Sequence, residues 1–159
     1  MLKRIVSGGQ TGADRAALDV AMECGLEPGG WIPKGRLADD GPIPLHYGGL
    51  LETESSDPSV RTALNVCDSD ATLIVSHGPL SGGSLLTLDN AQTLACPVFH
   101  LDLTVLAHTE ALDQISKWLR SVNPHTLNVA GPRASEDARI YSSVVELLRT
   151  VLPLVSRPH

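Results

Sequence analysis

Ser7-Gly8-Gly9-Gln10-Thr11-Gly12-Ala13-Asp14 decides how this chain folds. Just before it lies a short apolar segment, Arg4-Ile5-Val6, which reads as a strand. Just after it, Ala17, Val20, Ala21 and Cys24 recur at the i, i+3, i+4, i+7 spacing of a helix with one buried face. That spacing predicts a helix over 13–24, with Gly25 where a C-terminal cap belongs. Strand, glycine-rich turn and helix in this order open an α/β sheet. At such a turn, exposed amides and the positive end of the helix dipole meet an anion that glycine allows to come close.

The same unit recurs outward from there. A short strand is expected at 30–33, then a long stretch rich in Gly and Pro over 34–56. Loops of that length in compact domains are usually functional or mobile. Asp57 can cap a second helix and Pro58 suits its first turn, with Val60, Ala63, Leu64 and Cys67 as its inward stripe. The continuous apolar run 71–75 reads as a buried parallel strand. A second glycine-rich loop, Gly78-Pro79-Leu80-Ser81-Gly82-Gly83-Ser84, leads into a helix over 85–95. A strand at 98–101 follows. Next come a helix capped by Thr109, with Leu112, Ile115 and Leu119 inward, a strand at 127–130 and a last helix over 136–152. Strands alternating with helices imply a Rossmann-like three-layer α/β/α architecture with a mainly parallel sheet of five strands or slightly more. One domain over 1–159 accounts for the whole pattern.

Open α/β sheets bind ligands beyond the carboxyl ends of their strands. Both glycine-rich loops lie there, as do Pro33-Lys34-Gly35-Arg36 and Gly131-Pro132-Arg133. The candidate contacts are therefore Gly8, Gly9, Gln10, Thr11 and Gly12 from the first loop, and Ser81, Gly82, Gly83 and Ser84 from the second. Lys34, Arg36 and Arg133 supply positive charge, and a phosphate-bearing or otherwise anionic small molecule fits the set. Without a Gly-Lys-Ser/Thr ending the first loop is not an ATP-hydrolysing P-loop, and it is not a GxGxxG fingerprint. Lys34 and Arg36 follow the second strand where a dinucleotide site wants a carboxylate for the ribose.

The remaining constellations carry less. None of the six histidines pairs at metal-ligand spacing. Ser7 stands outside any GxSxG elbow. His77 either lines the pocket or is a plain loop residue. Asp14 reads as a favourable charge at a helix start and Asp39 and Asp40 as solvated loop charges, with a role in holding Mg²⁺ or as bases the sharper alternative. Arg61, Asn65 and Asp68, at i, i+4 and i+7, reach the site, face an oligomer interface or form a solvated face.

Bulk properties narrow the partners. Net charge is −6 and aromatics are 3%, which argues against a phosphate-backbone footprint and a base-stacking surface, so no nucleic acid is expected. No apolar run approaches the roughly 20 residues of a membrane span. Three scattered cysteines read as reduced, buried thiols, and the first residues show no secretory h-region, so a cytoplasmic location is expected.

On these residues the chain resembles the molybdenum carrier family, which includes molybdenum-cofactor carrier proteins of algae and bacteria. The family lies in a broader Rossmann-like group that also holds the lysine-decarboxylase-like phosphoribohydrolases. The resemblance runs through 7–14, Trp31-Ile32-Pro33-Lys34-Gly35-Arg36, Asp39-Asp40-Gly41, Arg61-Thr62, Asn65-Val66, Ser69-Asp70, Gly82-Gly83-Ser84 and Asn128-Val129-Ala130-Gly131-Pro132-Arg133. Ser84 replaces the usual Thr but keeps the hydroxyl, and Ala138-Arg139 replaces Pro-Gly. The resemblance implies a homo-oligomer, a tetramer, that binds the molybdenum cofactor (molybdopterin) or molybdate. Molybdenum enzymes or cofactor-synthesis proteins are the implied partners. A carrier needs no nucleophile, and none is evident.

Two other functions stay open. One is a phosphoribohydrolase, whose Pro-Gly-Gly-x-Gly-Thr-x-x-Glu signature carries a catalytic Glu that the aligned stretch Ser81 to Asp89 lacks, Asp89 being the nearest acid. The other is a sensor of a nucleotide-derived signal.

Overall fold

The computed structural model describes residues 1–156. These residues form six strands and five helices, alternating except that β3 follows β2 directly: β1 Arg4–Val6, α1 Ala13–Glu23, β2 Glu27–Ile32, β3 Leu50–Glu52, α2 Pro58–Cys67, β4 Ala71–Ser76, α3 Gly82–Thr93, β5 Val98–Asp102, α4 His108–Val122, β6 Thr126–Ala130 and α5 Ile140–Ser156. All strand pairs are parallel, in the order β3-β2-β1-β6-β4-β5. Helices α1, α4 and α5 pack together on one face, and α2 and α3 on the other. This is the expected three-layer Rossmann-like fold.

Chain order and sheet order disagree in one place. The last strand, β6, lies in the middle, between β1 and β4. Counted from β6, the order becomes 4-3-2-1-5-6, a doubly wound sheet whose reversal falls between β6 and β4. A crevice at that reversal, beyond the carboxyl ends of the strands, is where such sheets bind ligands.

The main core lies under α1, α4 and α5. Leu73, Val75, Leu127 and Val129 from β4 and β6 meet Ala17, Val20 and Ala21 of α1 and Val144, Leu148 and Val151 of α5. Alanines on α1 bring it close to the sheet. A smaller cluster of Leu18, Ile32, Ile43 and Tyr47 anchors the long segment after β2. That segment is not wholly irregular, because β3 pairs along β2, Gly30 with Leu50 through Ile32 with Glu52. A three-residue strand at a sheet edge leaves no periodicity to read.

Several local expectations change, among them the second strand, which begins at Glu27 rather than 30, and the last helix, which begins at Ile140 rather than 136. Helix α2 buries Thr62, Asn65 and Val66, while Val60 and Cys67 are exposed. It turns a polar edge inward because that edge has work there. Asn65 accepts from Trp31 N–H at 2.7 Å and donates to Trp31 C=O at 2.9 Å, while Asp68 accepts from Trp31 Nε1 at 2.6 Å. Helix α4 begins at His108 with Ala107 as N-cap and no side-chain cap bond, so Thr109 is inside the helix. Helix α3 begins at Gly82, three residues earlier than its apolar pattern indicates. The Asp57 cap is as expected, its carboxylate accepting from Ser59 N–H at 2.9 Å.

The Asn65 bracket carries a prediction. Asn65→Ala strands two strand-backbone groups at about 1–3 kcal/mol each when water cannot reach them. We expect a loss of about 2–4 kcal/mol in urea unfolding; a loss under about 1 kcal/mol would show that water takes over both bonds.

Candidate functional site

The loop after β1 is closed upon itself. Ser7 Oγ donates to Asp14 C=O at 3.0 Å and accepts from Gly9 N–H at 3.4 Å. Gln10 N–H reaches Asp14 Oδ2 at 3.2 Å, and Thr11 N–H reaches Gln10 Oε1 at 2.8 Å. Ala13 N–H is taken by Pro132 C=O at 3.2 Å. Gly9 C=O accepts from Arg15 Nε at 2.7 Å, and Arg15 clasps Asp40 with two bonds of 2.9 Å. The amides of Gly9, Gln10 and Thr11, read in the sequence as an anion cradle, thus have partners inside the protein. The side chains of Ser7, Asp14 and Gln10 take these loop amides, while the first helix amides, those of Ala13 and Arg15, go to the carbonyls of Pro132 and Gln10.

Asp39 and Asp40 are exposed loop charges, as expected, and each is also ion-paired. Asp39 accepts from Gln10 Nε2 at 3.4 Å, Arg133 Nη1 at 3.1 Å and Ser135 Oγ at 3.0 Å. Together with the Arg15–Asp40 pair, these bonds tie the long segment after β2 to the loops after β1 and β6. Arg15 holds the Asp40 carboxyl below its ordinary range through those hydrogen bonds.

A recess opens at the reversal between β6 and β4. It is lined by Gln10, Asp14, Arg61, Gly83, Ser84, Thr87, Gly131, Arg133 and Glu136. From the second glycine-rich loop, Gly83 and Ser84 bring the start of α3 to its wall, while exposed Ser81 is the N-cap of α3 and Gly82 takes φ +51°. Arg133 is shared between Asp39 and Glu136, whose Oε1 lies 3.0 Å from Arg133 Nε. Lys34 and Arg36 are not among the lining groups. Lys34 is exposed, and the Arg36 guanidinium donates to the carbonyls of Ile43 and Pro44 in its own loop. Thr11 and Gly12 sit under the loop after β6, with Thr11 Oγ1 accepting from Ala134 N–H at 3.2 Å.

Two lining groups stand out. Asp14 is only 5% exposed. Burial pushes its carboxyl up to about 6, against the pull of Arg61, the Gln10 amide, Arg15 and Arg133. Arg61 lies flat on Gly8, so that a methyl group there would sit 2.6 Å from its Cζ. Its Nη1 donates to Thr62 Oγ1 at 3.0 Å, whereas its Nε is buried with no hydrogen-bond partner. A buried, charged N–H without an acceptor is costly, and among the described residues Arg4 Nε, away from the recess, shares that state. The i, i+4, i+7 spacing of Arg61, Asn65 and Asp68 already placed these polar groups on one face of the helix. No signal in the sequence showed how deeply Asp14 is buried.

His77, by contrast, belongs to a neighbouring cleft with Leu103, Leu106 and Ser143. Its Nδ1 pairs with Asp137 at 2.5 Å and its Nε2 with Ser143 Oγ at 3.2 Å, joining the end of β4 to the start of α5.

The recess and its permuted sheet have a counterpart among known families. The circularly permuted YpsA SLOG family matches residues 5–152. The chain belongs to that family. The permutation in the family's description agrees with the displaced position of β6. A solved structure from Syntrophus aciditrophicus, named "putative molybdenum carrier protein", is 48% identical, covers 95% of each chain and superposes with a TM-score of 0.92. Comparison with curated proteins gave no match. Within this SLOG chain, Thr87 stands three residues after Ser84, the spacing at which the phosphoribohydrolase signature carries its Glu. Its hydroxyl donates to Gly83 C=O at 2.9 Å. Asp89 is exposed and lies outside the lining.

Among the described residues, no helix is long and apolar enough to cross a membrane. Cys67 is exposed and Cys24 and Cys96 are half-buried, so none of the three is the fully buried thiol expected from the sequence.

Proposed function

We propose that this SLOG protein binds the molybdenum cofactor and holds it by an oxyanion end in the recess between β6 and β4, with no chemistry performed on it. The observation that carries the reading is the buried, unpartnered Nε of Arg61 at a recess that Arg133 and the start of α3 also face. An anion supplies the missing acceptor and meets the positive helix end. The recess holds about 40 Å³, room for roughly three waters at 10–15 Å³ each, which suits one oxyanion group with the rest of the ligand outside. The name of the Syntrophus relative points the same way. We assign the charge supply to Arg61 and Arg133 in place of Lys34 and Arg36. Gly83 and Ser84 at the start of α3 are the anion contacts of the second loop, and the loop at 8–12 acts as scaffold. A cytoplasmic homotetramer that passes the cofactor to molybdenum enzymes or cofactor-synthesis proteins completes the proposal.

The test is the decay of free cofactor in air with and without purified protein. Protection is expected, and equal decay would overturn the reading. Arg61→Lys keeps the charge but loses the planar fork. It should weaken cofactor binding more than tenfold, about 1.4 kcal/mol, by equilibrium titration, and unaltered affinity would remove Arg61 from the site.

A second reading, cleavage of a nucleotide N-glycosidic bond, is favoured by one observation. Asp14 is a protonatable carboxyl within the same recess. Release of free base from AMP would support that reading, and its absence over hours with stoichiometric enzyme would dismiss it.

A further inference from the structure

An acid is an odd group to find in a recess that faces two arginines and a helix start. Asp14 is nine-tenths buried there and spends one carboxylate oxygen on the Gln10 amide. The charged groups facing it are Arg61 from α2, Arg15 from its own helix and Arg133 from the loop after β6, with Glu136 across the same recess. Arg15 and Arg133 are already held by Asp40, Asp39 and Glu136. The uncommitted positive charge is therefore close to that of Arg61 alone, and an ionised Asp14 cancels it. A fully ionised oxyanion entering at alkaline pH meets a carboxylate with lone pairs only, which repels it at short range. An oxyanion that carries a proton meets an acceptor instead, and a single proton then lies between two oxygens in a charge-assisted hydrogen bond.

We propose that Asp14 makes this recess selective for an oxyanion that carries a proton or readily takes one up near neutral pH, a phosphate or phosphomonoester, over oxyanions that stay fully ionised there, such as sulfate and molybdate. The inference rests on the recess being the ligand site, and it deepens the reading above. The ligand enters by its phosphate, and an oxo-molybdenum centre stays outside. Lowering the pH changes the donor. Once Asp14 is protonated it can itself donate to an ionised oxyanion, and the discrimination disappears.

The experiment is calorimetric titration of the full chain with four probes at pH 8: inorganic phosphate, a simple alkyl phosphomonoester, sulfate and molybdate. Phosphate and sulfate are repeated at pH 5. We expect phosphate to bind at least tenfold more tightly than sulfate or molybdate at pH 8, and the gap over sulfate to close at pH 5. Inorganic phosphate keeps a proton at pH 8 and should bind without taking one from buffer. The monoester is mostly ionised at pH 8 and should bind with net proton uptake, read from the dependence of heat on buffer. Asp14→Asn, which keeps the shape and offers an N–H, should bring sulfate to within about twofold of phosphate at pH 8. Sulfate or molybdate binding as tightly as phosphate to the unaltered chain at pH 8 would overturn the proposal. So would a gap that survives in Asp14→Asn, or no binding of any probe. No cofactor is used, so the selectivity and the cofactor reading can fail separately.

Discussion

Asp14→Asn stabilises the protein at pH 8 and leaves its stability at pH 4 nearly unchanged. The carboxyl ionises near its ordinary 3.8 in the unfolded chain and at about 6 in the folded protein. Between those values the folded state holds the proton that the unfolded state has lost, so stability falls as pH rises from about 4 to about 6. Above 6 the full cost is present. A difference of about two units corresponds to about 3 kcal/mol at 1.36 kcal/mol per unit. Asparagine keeps an oxygen for the Gln10 amide and never ionises. We expect a gain of about 2–3 kcal/mol in urea unfolding at pH 8, or a rise in Tm of roughly 5–10 °C for a chain of this size. A gain of equal size at pH 4 would trace the effect to packing rather than to the charge. The residue is then one that lowers stability where its chemistry is wanted, a pattern common at functional sites.

Gly12→Ala is expected to cost about 3 kcal/mol or more. Gly12 takes φ +83° immediately before α1. With ψ at −127° this is backbone space that is almost exclusively glycine's, where an L side chain costs on the order of 1–3 kcal/mol. The added methyl would also collide with Pro132 C=O and sit 2.8 Å from Ala134 N and 2.9 Å from Arg133 C. Those are backbone atoms of the loop that carries Arg133, and overpacking against backbone adds roughly 1–3 kcal/mol. Gly25→Ala is the control: it shares a positive φ, +71°, but has nothing within 4 Å of the new methyl. Urea unfolding of the pair separates the two contributions. Equal losses would mean that the loop after β6 yields freely, and Gly12→Ala should then spare ligand binding as well.

The fold was legible because its signals are local. The apolar run of β4, the stripe on α1 and the Asp57-Pro58 start of α2 each report through a few neighbouring residues. Strand β3 was not legible, since three half-exposed residues at a sheet edge carry no period. The lining of the recess was legible in outline only. Gly83, Ser84 and Arg133 follow from the rule that ligands gather at strand ends. Arg61 was visible as one of three polar residues on a helix edge, but its meaning depends on Gly8, 53 positions away in the chain, lacking a side chain beneath it. Lys34 and Arg36 looked well placed because they follow a strand. Pairing of Arg36 with the carbonyls of Ile43 and Pro44 is a loop conformation that no spacing encodes.

The central position of β6 also sets the order in which the molecule can assemble. Strands β3, β2 and β1 form one half-sheet and β4 with β5 another, and β1 does not pair with β4. The two halves are bridged only when the segment after α4 slides between them, a closure over more than 100 residues from β1. Such long-range parallel pairing is slow. A nascent chain therefore carries two open strand edges until β6 has emerged, and the recess, which Ala130 at the end of β6 helps to line, comes into being as those edges are sealed. Ligand binding then reports completed folding, and a ligand present during synthesis acts on the final step by mass action.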